Sequence, residues 1–258
     1  MRHVRLSVAN YIAMPPIHLD PIEPADWSAL LRLVGRLPGL RTLELTGNGW
    51  SEVPAELWCM PNRDQLFMLD LSYNRLERVS PQIGEFTNLR ELALQNNQLA
   101  SVPETIGRLS QLRRLNVGNN QRGQQLPSQL GQLGQLQKLH IDMLDLPALP
   151  EWIQHLSSLE VLTGSMNHIK EIPGWIGGLS HLKELDLRAN YIAEVPEAVL
   201  HLPHLEYLLL SKNRFRGGRR SFGGCWLGNR ERIRIGGWRG GLLIWIRFDQ
   251  DRRMTRVC

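Results

Sequence analysis

Cysteine is scarce in this sequence. Its three thiols, Cys59, Cys225 and Cys258, are odd in number and widely spread over 258 residues, so they supply neither a disulfide framework nor a paired-thiol metal knuckle. A reducing compartment fits best, with Cys59 expected to be an ordinary packed thiol. Long apolar runs are missing as well, and nothing approaches the roughly 20 residues needed to span a bilayer. The opening stretch MRHVRLSVANYIAMPP has early basic groups but no sustained apolar segment with a small-residue cleavage site, so no secretory leader is expected. The signatures of common catalysts are lacking too: no GxxxxGKS/T, no HExxH, no GxSxG and no dinucleotide-binding glycine loop. His155, His181, His201 and His204 lie scattered beside leucines. Only His201 and His204 are close, and no thiol or carboxylate completes a metal site around them. Cys59 precedes Met60 and Pro61, with no adjacent acid or base to activate it. The expectation is a chain that is not an enzyme and holds no cofactor and no metal.

Charge is divided unevenly. The net charge of +5 conceals a tail, residues 214–258, with 12 arginines against Glu231, Asp249 and Asp251, a balance of +9. The preceding 213 residues hold 18 basic and 22 acidic groups, a balance of −4. Basic character therefore belongs to the tail, and the bulk of the chain does not read as a nucleic-acid or membrane binder.

What is abundant is leucine at a fixed period. Aligned on LxxLxLxxNxLxxVPxxIxxL, the first leucine falls at Leu40, Leu66, Leu89, Leu112, Leu136, Leu159, Leu182 and Leu205, with spacings of 26, 23, 23, 24, 23, 23 and 23. The LxL segment alternates, which points its leucines into a core and their neighbours outward on a short strand. The asparagine turns inward, where its amide satisfies backbone groups as the chain leaves the strand. Seven units carry it, at Asn48, Asn74, Asn97, Asn120, Asn167, Asn190 and Asn213. The fifth has Leu144 there, and is expected to be looser or to draw on Asp142 or Asp145 for its turn. Proline after the next aliphatic residue, as in Pro103-Glu104-Thr105-Ile106, suits the first position of a short helical segment. One unit cannot bury its own apolar face, so stability must come from stacking.

The phrases SVPETIGRLSQLRRLNVGNN and EIPGWIGGLSHLKELDLRAN resemble the leucine-rich repeat superfamily over residues 37–215. They are most similar to the 23-residue intracellular type of Ras-suppressor-like proteins. Similar runs occur in the repeat domains of bacterial effectors delivered into host cells by type III secretion, where they serve virulence. The resemblance implies an α/β fold: a leucine-rich repeat solenoid, or horseshoe, with a parallel concave sheet and short helices or 3-10 turns on the convex side. It also implies a non-catalytic protein-binding module in a cytoplasm, either the bacterium's own or that of a host reached without a signal peptide. The alternative is the substrate-recognition part of a truncated effector or ubiquitin ligase whose catalytic domain is missing.

Three regions follow. Residues 1–36 read as an extension and a capping helix, with Asp26 capping an apolar face of Trp27, Leu30, Leu33, Val34 and Leu37. Upstream, Ala9–Ala13 repeats the run Ala189–Ala193 residue for residue and reads as a decayed coil. Residues 37–215 hold eight units, the last incomplete. Residues 216–258 form an Arg/Gly/Trp-rich tail with three open readings. It is a nucleic-acid segment, or an end-piece pairing Arg232–Ile235 with Leu242–Phe248, or a disordered product of a shifted reading frame.

For the repeats, a protein partner is expected on the outward strand residues, with no nucleic acid, no membrane and a monomeric chain. The candidate contacts are Glu44, Asp70, Tyr73, Glu91, Arg114 and Asn116, then Lys138, His140, Met143, Met166, Glu184, Asp186, Arg188 and Tyr207. Their alternating polarity fits a protein of mixed charge better than a phosphate backbone. Met143 and Met166 form an adaptable apolar spot.

Overall fold

A complete repeat closes one coil: a three-residue strand, a turn that carries asparagine in every unit but the fifth, and a tight helical turn that leads back to the next strand. The computed structural model describes residues 3–5, 24–121, 123, 125–215, 235–238 and 241–247. The run Ala9–Ala13 and most of the tail, including the reading-frame question, lie outside the described residues. The chain divides into two units, Met1–Leu136 and Gln137–Cys258.

The first unit contains strand β1 (His3–Arg5), helix α1 (Pro24–Val34), strand β2 (Thr42–Glu44), helix α2 (Ala55–Trp58), and strands β3 (Met68–Asp70), β4 (Glu91–Ala93) and β5 (Arg114–Asn116). The strands pair in parallel in that order, with Val4, Leu43, Leu69, Leu92 and Leu115 in one row. The four leucines of that row are buried, as the alternation demands. Across the core lie α2 and the 3-10 helices Arg63–Gln65, Pro81–Glu85, Glu104–Arg108 and Ser128–Gln132. Their aliphatic residues Ile83, Ile106 and Leu130 close the core from that side.

Proline sits one residue earlier than the sequence suggests. Pro103, with φ −68° and ψ 144°, precedes its 3-10 helix as the cap; Pro127 does the same for the next one, and Pro54 for α2. Only φ is fixed by the ring, so an extended ψ directs the chain into the turn without a backbone N–H being missed. Pro81 is helical, and Ser80 caps it by accepting the Gln82 N–H.

Helix α1 covers the first coil. Trp27, Leu31 and Val34 are buried, and the Trp27 ring meets Trp50 edge-on at 4.8 Å between centroids. Two expectations change here. The helix begins at Pro24, so Asp26 lies in its first turn rather than at the cap, still where a negative charge favours a helix. Leu33 points to solvent, 64% exposed, because the face is narrower than the spacing implied. Ser28 and Arg32 each donate to Glu56 of α2 at 3.0 Å. The extra residues of the first repeat make a loop in which Asn62 donates to the Leu37 carbonyl. Cys59, at the end of α2, is exposed rather than packed.

The asparagines bridge successive coils. Asn97 donates to the carbonyls of Leu94 in its own coil and Leu71 in the coil before, and accepts the Leu76 N–H at 3.0 Å. Asn74 and Asn120 repeat the arrangement. A buried backbone group left unpaired is costly, and one amide here serves three of them.

The second unit contains β6 (Lys138–His140), β7 (Val161–Thr163), β8 (Glu184–Asp186), helix α3 (Glu197–Leu200), β9 (Tyr207–Leu209), β10 (Ile235–Trp238) and β11 (Gly241–Arg247). Strands β6 to β9 are parallel, with Leu139, Leu162, Leu185 and Leu208 in register. Opposite them lie the 3-10 helices Glu151–His155 and Gly174–Gly178 together with α3. The backbones of β10 and β11 form an antiparallel pair, and β11 runs antiparallel along β9, Trp245 opposite Leu209. The turn at Leu144 does not use Asp142 as a substitute. Asn167 of the next coil accepts both the Leu144 and Leu146 N–H groups, at 2.9 and 3.0 Å, and donates to the Ile141 carbonyl. Asp142 is engaged instead with Thr163 and Ser165.

Candidate protein-binding surface

Residues flanking the buried leucines face outward and stack in columns, because parallel in-register strands place equivalent positions side by side about 4.8 Å apart. In the first unit one column is Glu44, Asp70, Ala93 and Asn116, and another is Thr42, Met68, Glu91 and Arg114. Glu91 and Arg114 form an ion pair at 3.4 Å. Asp70 is folded back on its own strand end, where it accepts the Ser72 N–H at 2.8 Å and the Ser72 hydroxyl. Asn116 does the same with the Gly118 N–H at 3.0 Å. Tyr73 stands free of the sheet, with its ring exposed.

In the second unit the columns are Lys138, Val161, Glu184 and Tyr207, and His140, Thr163, Asp186 and Leu209. Thr163 ties His140 to Asp142. Its hydroxyl donates to Asp142 at 2.5 Å, so it can only accept from His140, whose Nδ1 lies 2.9 Å away and must carry a proton. Asp142 completes the chain by accepting the Ser165 N–H and hydroxyl at 2.7 and 2.8 Å. Asp186 does not present itself as the alternation suggested. Its side chain is 6% exposed, covered by Arg188, which donates from Nε and from one terminal nitrogen, the latter at 2.6 Å. These hydrogen bonds, more than any other cause, raise the pKa of Arg188 above its ordinary value. Asp186 therefore positions Arg188, and Arg188 is the group that faces solvent.

In each unit, the position just before the asparagine site carries an unusual backbone. Tyr73, Asn96, Asn119, Met143, Met166, Ala189 and Lys212 all adopt positive φ, between 50° and 59°. Side chains seldom enter this region, and large ones such as Tyr and Met less than Asn. The turn is held at five of them by an N–H that reaches into the next coil, Tyr73 to the Gln95 carbonyl at 3.0 Å, Asn96 to Gly118 at 3.1 Å, Met143 to Ser165 at 3.0 Å, Met166 to Arg188 at 2.9 Å and Ala189 to Ser211 at 2.8 Å. As a result Met143 and Met166 project from the sheet, 41% and 56% exposed.

Two further columns escape a reading confined to the strands. The residues after each asparagine position give Asp145, His168, Tyr191 and Arg214. The residues just before each strand give Arg41, Phe67, Arg90 and Arg113 in the first unit. Comparing every position of the period, rather than the strand positions alone, would have exposed both. Among the described residues no group of three or more His, Cys, Asp or Glu side chains could hold a metal ion. No described helix is long and apolar enough to cross a membrane.

A family model described as a leucine-rich repeat region matches residues 64–168, and one described as a leucine rich repeat matches residues 165–215. These coils are leucine-rich repeats. Among solved structures, the repeats are similar to a leucine-rich repeat protein of Leptospira interrogans, at 32% identity and a TM-score of 0.66, covering 70% of this chain and 45% of that one. They are also similar to the ectodomain of the Arabidopsis thaliana receptor kinase GASSHO1/SCHENGEN3, solved with Casparian strip integrity factor 2. There the identity is 29% and the TM-score 0.60, over 74% of this chain and 24% of the other. The Arabidopsis receptor kinase HAESA, solved with the peptide hormone IDA and the co-receptor SERK1, matches at 28% identity and a TM-score of 0.57, over 68% and 30%. The chain thus spans less than half the length of these solved relatives. No curated protein matches it. Leucine-rich repeats commonly mediate protein–protein interaction and are generally non-catalytic.

Proposed function

We propose that the chain binds a protein partner on the outward face of its repeat strands, without catalysing a reaction. The observation that carries this reading is the left-handed backbone of the second unit: Met143 and Met166 are held out into solvent as their N–H groups donate to carbonyls of the next coil. Large adaptable apolar side chains on rigid supports, flanked by the Asp186-anchored Arg188, are what a protein contact uses. Receptor ectodomains of similar fold solved with a peptide or protein bound support the same use of these repeats. The run of 23-residue spacings supports placing the units with the intracellular type. The reading as the recognition part of a larger bacterial effector rests on that resemblance alone.

The test compares capture of proteins from lysate by immobilised full-length chain and two variants. Met143→Asp with Met166→Asp should abolish capture of at least one specific protein. Glu104→Lys with Glu151→Lys, on the 3-10 turns, should not. Capture of the same proteins by both variants, with folding intact, would sink the proposal.

A further inference from the structure

The column just before the strands of the first unit is Arg41, Phe67, Arg90 and Arg113, joined through backbone hydrogen bonds from Phe67 to Arg41, Arg90 to Phe67 and Arg113 to Arg90. The guanidinium carbons of Arg41 and Arg90 lie over the Phe67 ring, 4.6 and 4.5 Å from its centroid. Arg41 spends one N–H on the Gln65 carbonyl at 3.0 Å. Among the described residues no carboxylate lies within ion-pair distance of Arg41, Arg90 or Arg113. Three cations on one short row repel each other, and no described carboxylate pairs with them. The same column in the second unit is Gln137, Glu160, Lys183 and Glu206, where Lys183 lies 2.8 Å from Glu160. That row pairs its one cation and carries a second carboxylate, so the basic row is particular to the first unit.

We propose that the Arg41–Phe67–Arg90–Arg113 row docks an acidic, extended segment of a protein partner. A guanidinium stacked on an aromatic face keeps its in-plane N–H donors free, in the fork that matches a carboxylate. Stacking also holds the side chain in place before binding, which lowers the ordering cost of the complex. Three inter-strand steps give a row about 14 Å long, which about four residues of extended peptide cover. Such a row is too short for the six to ten phosphate contacts that sustain strong nucleic-acid binding. The carboxylates of Glu44, Asp70 and Glu91 on the adjoining strand face would repel a long polyanion laid across it. The proposal does not depend on the strand-face reading, since the two surfaces share no residue and each can fail alone.

The test uses the full chain and a fluorescein-labelled decapeptide of alternating glutamate and serine, followed by fluorescence anisotropy at low salt, with labelled decathymidylate in parallel. Arg90→Glu with Arg113→Glu should weaken peptide binding about tenfold or more relative to the parent. Arg75→Glu with Arg78→Glu, an equal charge change elsewhere in the unit, should weaken it less than about threefold. Phe67→Leu, which alters no charge, should weaken it measurably. Equal losses in the two double variants, or no loss in the first, overturn the proposal. So does Phe67→Leu binding as tightly as the parent, and so does a larger loss for decathymidylate than for the peptide. If charge reversal lowers the unfolding midpoint, Arg90→Gln with Arg113→Gln is read in its place on the same criterion.

Discussion

The rings of His168 and Tyr191 lie 5.3 Å apart and within 3° of parallel, in consecutive coils of the second unit. On the other side the Arg214 guanidinium sits 4.0 Å from the Tyr191 centroid, and the His168 Nδ1 lies 3.9 Å from Asp145. An acid, an imidazole, a phenol ring and a guanidinium thus form one stack along four coils, each occupying the position after the asparagine site.

Tyr191 is the middle of that stack, so its removal should be felt on both sides. Tyr191→Ala is expected to cost about 1–2 kcal/mol, the sum of a ring–ring and a partly exposed cation–π contact. Tyr191→Phe should cost less than about 0.5 kcal/mol, because the ring rather than the hydroxyl makes these contacts. Urea unfolding of the two variants checks this, and equal midpoints would show that the stack contributes nothing.

Asn190 is buried, donates to the Gly164 and Leu187 carbonyls at 2.9 and 3.1 Å, and accepts the Ile169 N–H at 3.0 Å. Asn190→Ala strands three backbone groups and is expected to destabilise by about 3 kcal/mol or more. A denaturant titration read at two wavelengths will show whether the loss is global or confined to neighbouring coils, as a stack of nearest-neighbour contacts allows.

Gly107 lies where two reverse-side turns meet. A Cβ there would come within 2.5 Å of the Gln129 carbonyl oxygen, whereas one on Gly178 meets nothing within 4 Å. Gly107→Ala should therefore cost about 1–3 kcal/mol, and Gly178→Ala should change stability by less than about 0.5 kcal/mol. Thermal unfolding of the pair measures the difference.

Glu56 has its pKa lowered from the ordinary carboxylate value, first by its own backbone N–H and next by the Ser28 hydroxyl, with Arg32 adding to both. A lowered folded value means that the carboxylate contributes stability above the usual carboxylate range and loses it as pH falls through the folded value. Acidification should thus loosen α1 before the rest of the chain. The effect at this half-buried, solvent-facing site is below about 1 kcal/mol. Tryptophan fluorescence of Trp27 and Trp50 under urea at neutral and acid pH reports it. Glu56→Gln should remove most of the difference between the two conditions.

The leucine period by itself determined the strands, the buried row Leu43, Leu69, Leu92 and Leu115, and the asparagine turns, because each coil repeats one local solution to burying its apolar side and pairing its backbone. Alternation likewise identified the outward columns from Glu44 to Tyr207. What it could not determine was which of those residues remain available. Asp186 is covered by Arg188, Asp70 folds back onto Ser72, and His140 is tied through Thr163 to Asp142. These pairings are set by side-chain reach between coils or by the bend at a strand end, which a period does not encode. The left-handed turns at Tyr73, Met143 and Met166 were equally hidden. Nothing in a tyrosine or methionine favours positive φ; the hydrogen bonds to the neighbouring coil impose it, and only the stacked structure supplies them.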